Sequence, residues 1–388
     1  MIRYRNKSFG VLVGVALSFA APPVKADPLT EAELGEQLFF DPSFSRNRTL
    51  ACASCHDPNR AFTDGRETPA RGIVSLGDDL HALGVRNAPT VTYAMLSPAF
   101  HYDAAAGEYV GGQFHDGRAA TLADQAMGPP LNPVEMMLPD AAAVVARIRE
   151  NPGYEEAFTR LYGEDVFDMP EDPQTVPAAY RAFGRAIEAF EKTPALAPFD
   201  SKYDRFLRGE YDLTVLEDLG RTLFFSNNNV NCATCHMLKR EDAPREPFTN
   251  HQFRNIGVPR NPDLLALGQV APDFIDQGLL ENPEVTDTAQ EGRFKTPSLR
   301  NVAVTGPYMH NGVFRDLRTV IAFYDHYNNP DRAQNPETGA PWAAPEVPHT
   351  VDREDLRAQP LNDRKIDALV AFLETLTDSR YEPLLDGN

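Results

Sequence analysis

Long apolar runs, basic charge and cysteine are all scarce in this 388-residue chain. Beyond residue 21 no stretch approaches the roughly 20 apolar residues that a membrane helix needs, which excludes a spanning segment in the body of the protein. Lysine and arginine number 37 against 56 acidic residues, a formal net charge of −19, and such a surface repels nucleic acid and anionic lipid. Sustained apolar/polar alternation is rare too, so strands contribute little and the fold class is mainly α. Proline, by contrast, is plentiful at 33 residues and implies long Pro/Gly-rich loops between helices.

The chain opens with Arg3, Arg5 and Lys7, continues through an apolar run from Phe9 to Ala21, and reaches the small-residue site Val24-Lys25-Ala26. This pattern predicts a signal peptide over residues 1–26, its apolar run being too short to span a bilayer. A cleaved leader places the mature protein in the periplasm; an uncleaved one would anchor it. Without the leader, 33 basic residues face 56 acidic ones, a net charge of −23. That surface either steers a basic partner such as a small cytochrome or only aids solubility. The remaining length, about 360 residues, exceeds what one core accommodates and predicts two domains.

The four cysteines fall as Cys52-Ala53-Ser54-Cys55-His56 and Cys232-Ala233-Thr234-Cys235-His236. In an exported chain they could form two disulfides, a redox dithiol needs no following histidine, and a zinc site needs thiolates from both pairs on one metal. Two thiols one helical turn apart, followed at once by a histidine, instead suit thioether attachment of a haem with the imidazole on its iron. Two copies predict two covalently bound haem c groups.

Other segments occur twice as well. Leu34-Gly35-Glu36-Gln37-Leu38-Phe39-Phe40 precedes the first motif, and Leu219-Gly220-Arg221-Thr222-Leu223-Phe224-Phe225 precedes the second. Arg86-Asn87-Ala88-Pro89-Thr90 and Phe114-His115-Asp116-Gly117 are echoed by Arg300-Asn301 and Met309-His310-Asn311-Gly312. These repeats predict two c-type cytochrome domains related by internal duplication, 27–200 and 201–388. The first helix starts at Thr30, whose hydroxyl and Glu33 can form a capping box, and carries Leu34, Leu38 and Phe39 toward a core. Further helices are predicted at 140–150, 174–191, 213–225, 315–328 and 363–377. In the last, Ile366, Leu369, Val370, Leu373 and Leu376 share one face.

Taken in order, the two haem motifs, Arg86 to Thr90, His115-Asp116-Gly117-Arg118-Ala119, Gln125, Gly128-Pro129, Glu135-Met136, Thr296-Pro297-Ser298-Leu299-Arg300-Asn301 and Pro307-Tyr308-Met309-His310-Asn311-Gly312 resemble the bacterial di-haem cytochrome c peroxidase and MauG family over essentially the whole mature chain. The resemblance implies a peroxide-binding first haem on His56 and a relay haem on His236. It implies Glu135 and Gln125 as the distal pocket above the first haem, where a carboxylate can move a proton between the peroxide oxygens. The family's peroxidases also carry a loop histidine that blocks the first haem. Here that loop holds only His81, off the expected register, so an open first haem is expected.

On the second haem, Tyr324 stands where the family has an axial methionine or, in MauG, an axial tyrosine. A phenolate would lower the reduction potential relative to a thioether. Its helical spacing with Leu317, Val320 and Ile321 is also that of a core tyrosine. The family's tryptophan between the haems is replaced by His115, and the only tryptophan is Trp342. His115 either bridges the haems by hydrogen bonding or packs at the domain boundary. Asn87, Thr305 and Pro307 match the family's ligands for an inter-domain calcium ion, Ca2+.

The implied activity is periplasmic, peroxide-dependent oxidoreduction. Electrons come from a small cytochrome c or a blue copper protein in the peroxidase variant and from side chains of a partner protein in the MauG-like variant. A rival is a plain electron carrier with both irons fully ligated.

Overall fold

The predicted capping box opens the folded body. In the computed structural model, which describes residues 28–172, 174–226, 230–238 and 245–387, the Thr30 hydroxyl accepts from the Glu33 amide, and the Thr30 amide donates to the Glu33 carboxylate at 2.8 Å. Two of the donors orphaned at a helix start are thereby satisfied. The leader lies outside the described residues. Helix α1 (Glu31–Phe40) buries Leu34, Leu38 and Phe39, as its spacing requires.

The other helices are α2 (Cys52–Cys55), α3 (Leu122–Ala126), α4 (Ala141–Arg149), α5 (Pro152–Tyr162), α6 (Ala178–Glu191), α7 (Lys202–Leu207), α8 (Val215–Phe224), α9 (Pro262–Ala266), α10 (Leu317–His326) and α11 (Asp363–Glu374). Among the described residues the strands are two antiparallel pairs, β1 (His101–Asp103) with β2 (Glu108–Val110) and β3 (Phe253–Arg254) with β4 (Phe294–Lys295). The fold is mainly α, with 3-10 turns and long loops between helices. The helix predicted from residue 174 starts at Ala178, because the ring of Pro177 disfavours the helical conformation at Val176 and leaves the proline as N-cap. Helix α5 escaped prediction although Asn151-Pro152 is a start signal, with the Asn151 side chain accepting from Gly153.

Among the described residues two large hydrophobic cores form, with smaller clusters beside them. One gathers Leu34 through Leu196, chiefly α1, α4, α5 and α6; the other gathers Tyr203 through Leu376, chiefly α8, α10 and α11. Each is built on one close helix crossing. A Cβ added to Gly35 would lie 1.8 Å from the Ala186 carbonyl oxygen, and one added to Gly220 would lie 1.8 Å from that of Ala368. Glycine is required at both crossings, since no side chain fits between α1 and α6 or between α8 and α11.

The halves repeat local geometry in detail, and they correct the register read from the sequence. The Thr90 hydroxyl donates to the Ala61 carbonyl at 2.5 Å, and the Ser298 hydroxyl donates to the Pro247 carbonyl at 2.8 Å. Tyr93 and Asn301, each three residues further on, are both left-handed at φ 62°. Pro89-Thr90 therefore corresponds to Pro297-Ser298, and the counterparts of Arg86-Asn87 are Phe294-Lys295 rather than Arg300-Asn301. His115 and His310 remain paired: Phe114 and Met309 before them, and Gly117 and Gly312 after them, all have positive φ. The pairing crosses between halves, because the Asn87 amide donates to the His310 carbonyl at 2.7 Å and the Lys295 amide donates to the His115 carbonyl at 2.8 Å. The C-terminal turn also reaches back to the first half, where Tyr381 packs on Ala61 and Arg380 donates to the Pro58 carbonyl at 3.1 Å.

Candidate haem sites and the boundary between them

Both motif histidines are oriented alike. The Cys52 carbonyl accepts from the His56 amide at 3.0 Å and the Cys232 carbonyl from the His236 amide at 2.9 Å, which wraps each motif into one turn. The His56 Nδ1 then meets the Phe62 carbonyl at 3.2 Å and the His236 Nδ1 meets that of Phe248 at 3.0 Å. Burial lowers the pKa of both rings, His236 to about 4, so each is neutral with Nδ1–H donating and the Nε2 lone pair left for a metal. Phe62 and Phe248 adopt φ of 57° and 53° to present those carbonyls. A left-handed phenylalanine is strained by about 1 kcal/mol or more, a cost tolerated where the site demands it.

The four thiols are unbridged, and burial holds them protonated, Cys52 and Cys232 pushed up to about 12 and Cys55 to about 11. Among the described residues no three His, Cys, Asp or Glu side chains converge as a metal-ion site, which leaves the zinc alternative without support. Cys232, Cys235 and His236 open instead on a cavity of about 400 Å³. Paired thiols, a neutral imidazole with its Nδ1 engaged and this apolar-walled space fit a covalently attached haem.

Tyr324 lines the same cavity. Leu317, Val320 and Ile321 line it with Tyr324, so the apolar face of α10 is the cavity wall. Tyr324 keeps 36% of its surface exposed there, whereas the neighbouring Phe323 is 1% exposed, so Tyr324 is not packed as core.

In the first half, Glu135 lies close enough to Cys52 and Cys55 to act on both thiols, though less strongly than their burial. Burial raises the Glu135 pKa, opposed by Arg118 and by a 2.9 Å hydrogen bond from Asn132. Gln125 is half-buried on α3. The Gln125 carbonyl accepts from Gly128 at 2.9 Å and the Pro129 carbonyl accepts from Met136 at 3.2 Å, which folds the Glu135 loop back on the end of α3. His81 is exposed in its loop.

At the boundary, His115 is half-buried, neutral with its pKa lowered by desolvation to about 4, and bonds through Nε2 to the Asn87 carbonyl at 2.9 Å. Asn87, Thr305 and Pro307 border the cavity together with His115. The Asn87 side-chain amide donates to the Gly72 and Ile73 carbonyls at 3.0 Å each, which leaves its oxygen available. Arg86 spans the boundary, bound to Asp276 through two contacts of 2.6 and 2.7 Å and to Asp116 at 2.5 Å. Asp276, Lys295 and the two left-handed phenylalanines are the boundary and site residues that sequence reasoning missed. Phe62 and Phe248 stand six and twelve residues after their histidines, so no common spacing announces them.

Comparison with known proteins agrees with this geometry. Residues 30–212 match the di-haem cytochrome c peroxidase family. The methylamine utilization protein MauG of Paracoccus denitrificans is 54% identical over 92% of this chain and 90% of its own length. MauG of Methylophilus methylotrophus is 33% identical over 78% of this chain and 75% of its own. The crystal structure of the diheme peroxidase BthA from Burkholderia thailandensis superposes with a TM-score of 0.78 at 34% identity, covering 91% of this chain and 87% of that one. The fold and site thus define a di-haem c-type oxidoreductase of the peroxidase class. The chain belongs to the di-haem cytochrome c peroxidase and MauG family, whose members carry two haem c groups.

Proposed function

We propose that this protein is a periplasmic enzyme that uses hydrogen peroxide to oxidise side chains of a partner protein in the manner of MauG. The observation that carries this reading is Tyr324, which opens on the cavity of Cys232, Cys235 and His236 where a peroxidase of the family has methionine. The 54% identity to a MauG supports it. Among the described residues no helix is long and apolar enough to cross a membrane, and the leader over residues 1–26 supports export.

The haem domains run over 27–200 and 201–388, a division supported by the two separate cores. Cys52, Cys55 and His56 hold the first haem; Cys232, Cys235, His236 and Tyr324 hold the second. Haem iron supplies a site for peroxide and a store for oxidising equivalents. Glu135 carries a proton between the peroxide oxygens, its raised pKa bringing it toward the range where a carboxyl both takes and gives protons. The Gln125 amide orients the peroxide, and exposed His81 stays off the first haem. His115 couples the halves through its carbonyl, which accepts from the Lys295 amide. Asn87, Thr305 and Pro307 offer one amide oxygen and two carbonyls to a calcium ion, with water completing the shell.

The second reading is a cytochrome c peroxidase drawing electrons from a small cytochrome or blue copper protein, favoured by the acidic net charge and by His115 in place of tryptophan. Stoichiometric peroxide added to the ferric protein, followed by steady-state assay with reduced small cytochrome c, separates them. A persistent peroxide-oxidised state with negligible turnover is the expected result. Fast turnover establishes the peroxidase, and two low-spin haems inert to peroxide leave only an electron carrier.

A further inference from the structure

Three basic side chains border the second-haem cavity: Arg254, Arg300 and Lys295. Arg254 is engaged by Asp355 at 2.9 Å and Glu108 at 3.2 Å, and Arg300 by Asp204 at 2.6 Å. Among the described residues Lys295 forms no ion pair. Its ammonium donates to the Gly112 carbonyl, and the acidic group that attracts it, Asp116, is already shared by Arg86 at 2.5 Å and Arg118 at 2.7 Å. An ammonium inside a protein without a counter-charge is costly. Burial accordingly lowers the Lys295 pKa to about 8. The backbone holds the residue firmly: Lys295 lies in β4 paired with Phe253, and its amide donates to His115. A cation so fixed, facing a cavity whose other cations are neutralised by protein carboxylates, marks a place for an anion carried by the occupant. Haem brings two propionate carboxylates.

We propose that Lys295 is the ion-pair partner of a propionate on the second haem, orienting that haem and raising its reduction potential. This rests on assigning the cavity to the second haem. That assignment is tested separately by Cys232→Ser/Cys235→Ser, which should remove one of the two haems from the pyridine haemochrome spectrum; a variant that keeps both overturns the assignment itself.

The test uses holoprotein with Lys295→Met and Lys295→Arg, read by spectroelectrochemical titration and by the propionate bending band in resonance Raman spectra. Removing a positive charge beside the haem favours its ferric form. Lys295→Met should therefore shift the second haem's ferric/ferrous equilibrium about tenfold toward ferric, a potential lower by about 59 mV for one electron. Lys295→Arg should restore the potential while moving the propionate band, because a forked donor replaces a point charge. An unchanged second-haem potential in Lys295→Met, or a shift confined to the first haem, overturns the proposal. Should Lys295→Met fail to load haem, the arginine variant decides alone: a propionate band identical to the parent's overturns the pairing.

Discussion

Replacing Arg86 with methionine tests whether the charge cluster at the boundary holds the halves together, and its consequences can be followed partner by partner. The Arg86 side chain is 10% exposed. Asp116, fully buried, keeps Arg118 at 2.7 Å and remains compensated. Glu281, 39% exposed, regains water at little cost. Asp276 is the group left stranded: 4% exposed, it loses both arginine contacts and retains the backbone amide of Gly278 at 2.9 Å. Stranding one buried carboxylate costs roughly 3–5 kcal/mol.

Urea unfolding of the holoprotein, followed by far-ultraviolet circular dichroism and the Soret band, should show that loss at pH 7. Arg86→Met/Asp276→Asn should recover most of it, because the amide removes the uncompensated charge. The pH dependence carries a definite sign. In the parent, hydrogen bonds and charge from Arg86 overcome burial and hold the Asp276 pKa below the ordinary carboxylate value. The resulting stability is complete above the unfolded pKa, about 3.9, and is lost as pH falls through the lower folded value. In Arg86→Met the stranded Asp276 carboxyl has a raised pKa, so the difference between parent and variant should be largest at neutral pH and above, shrink as pH falls through that raised value, and be lost below the parent's folded value. A loss under about 1 kcal/mol at pH 7, or no recovery on adding Asp276→Asn, would refute the reasoning.

Glu135→Gln should slow the reaction of the ferric protein with peroxide by about 10²–10⁴-fold in stopped-flow absorbance while both haems stay attached. Tyr324→Met should raise the second-haem potential and change its spectrum; a variant indistinguishable from the parent removes Tyr324 from the coordination sphere. Glu191, 2% exposed beside Cys52, has its pKa raised to about 8 by burial and then by Glu188. A raised carboxyl pKa means that the folded state binds more protons, so stability falls as pH rises from about 4.5 to 8. Glu191→Gln should flatten that decline and stabilise the protein at pH 7 by up to roughly 3 kcal/mol in denaturant titrations.

Much of this protein is fixed by local chemistry that its sequence displays. The motifs at Cys52 and Cys232 are contiguous, so covalent haem attachment is legible wherever the chain folds around them. Capping at Thr30, the buried face of α11 and the glycines of Leu34-Gly35 and Leu219-Gly220 are equally local, because helix starts and helix faces depend on residues three or four apart. What lies between the halves was not legible. The match of Arg86-Asn87 with Phe294-Lys295 is hidden by dissimilar side chains and emerges only from shared hydrogen bonds and backbone angles. Arg86 meets Asp276 across 190 residues. Whether Tyr324 is core or cavity wall depends on which side of α10 faces empty space. Spacing along a chain reports only what neighbours do; burial, charge pairing and cavities arise from residues that meet after the chain has turned back on itself, and tertiary structure alone decides them.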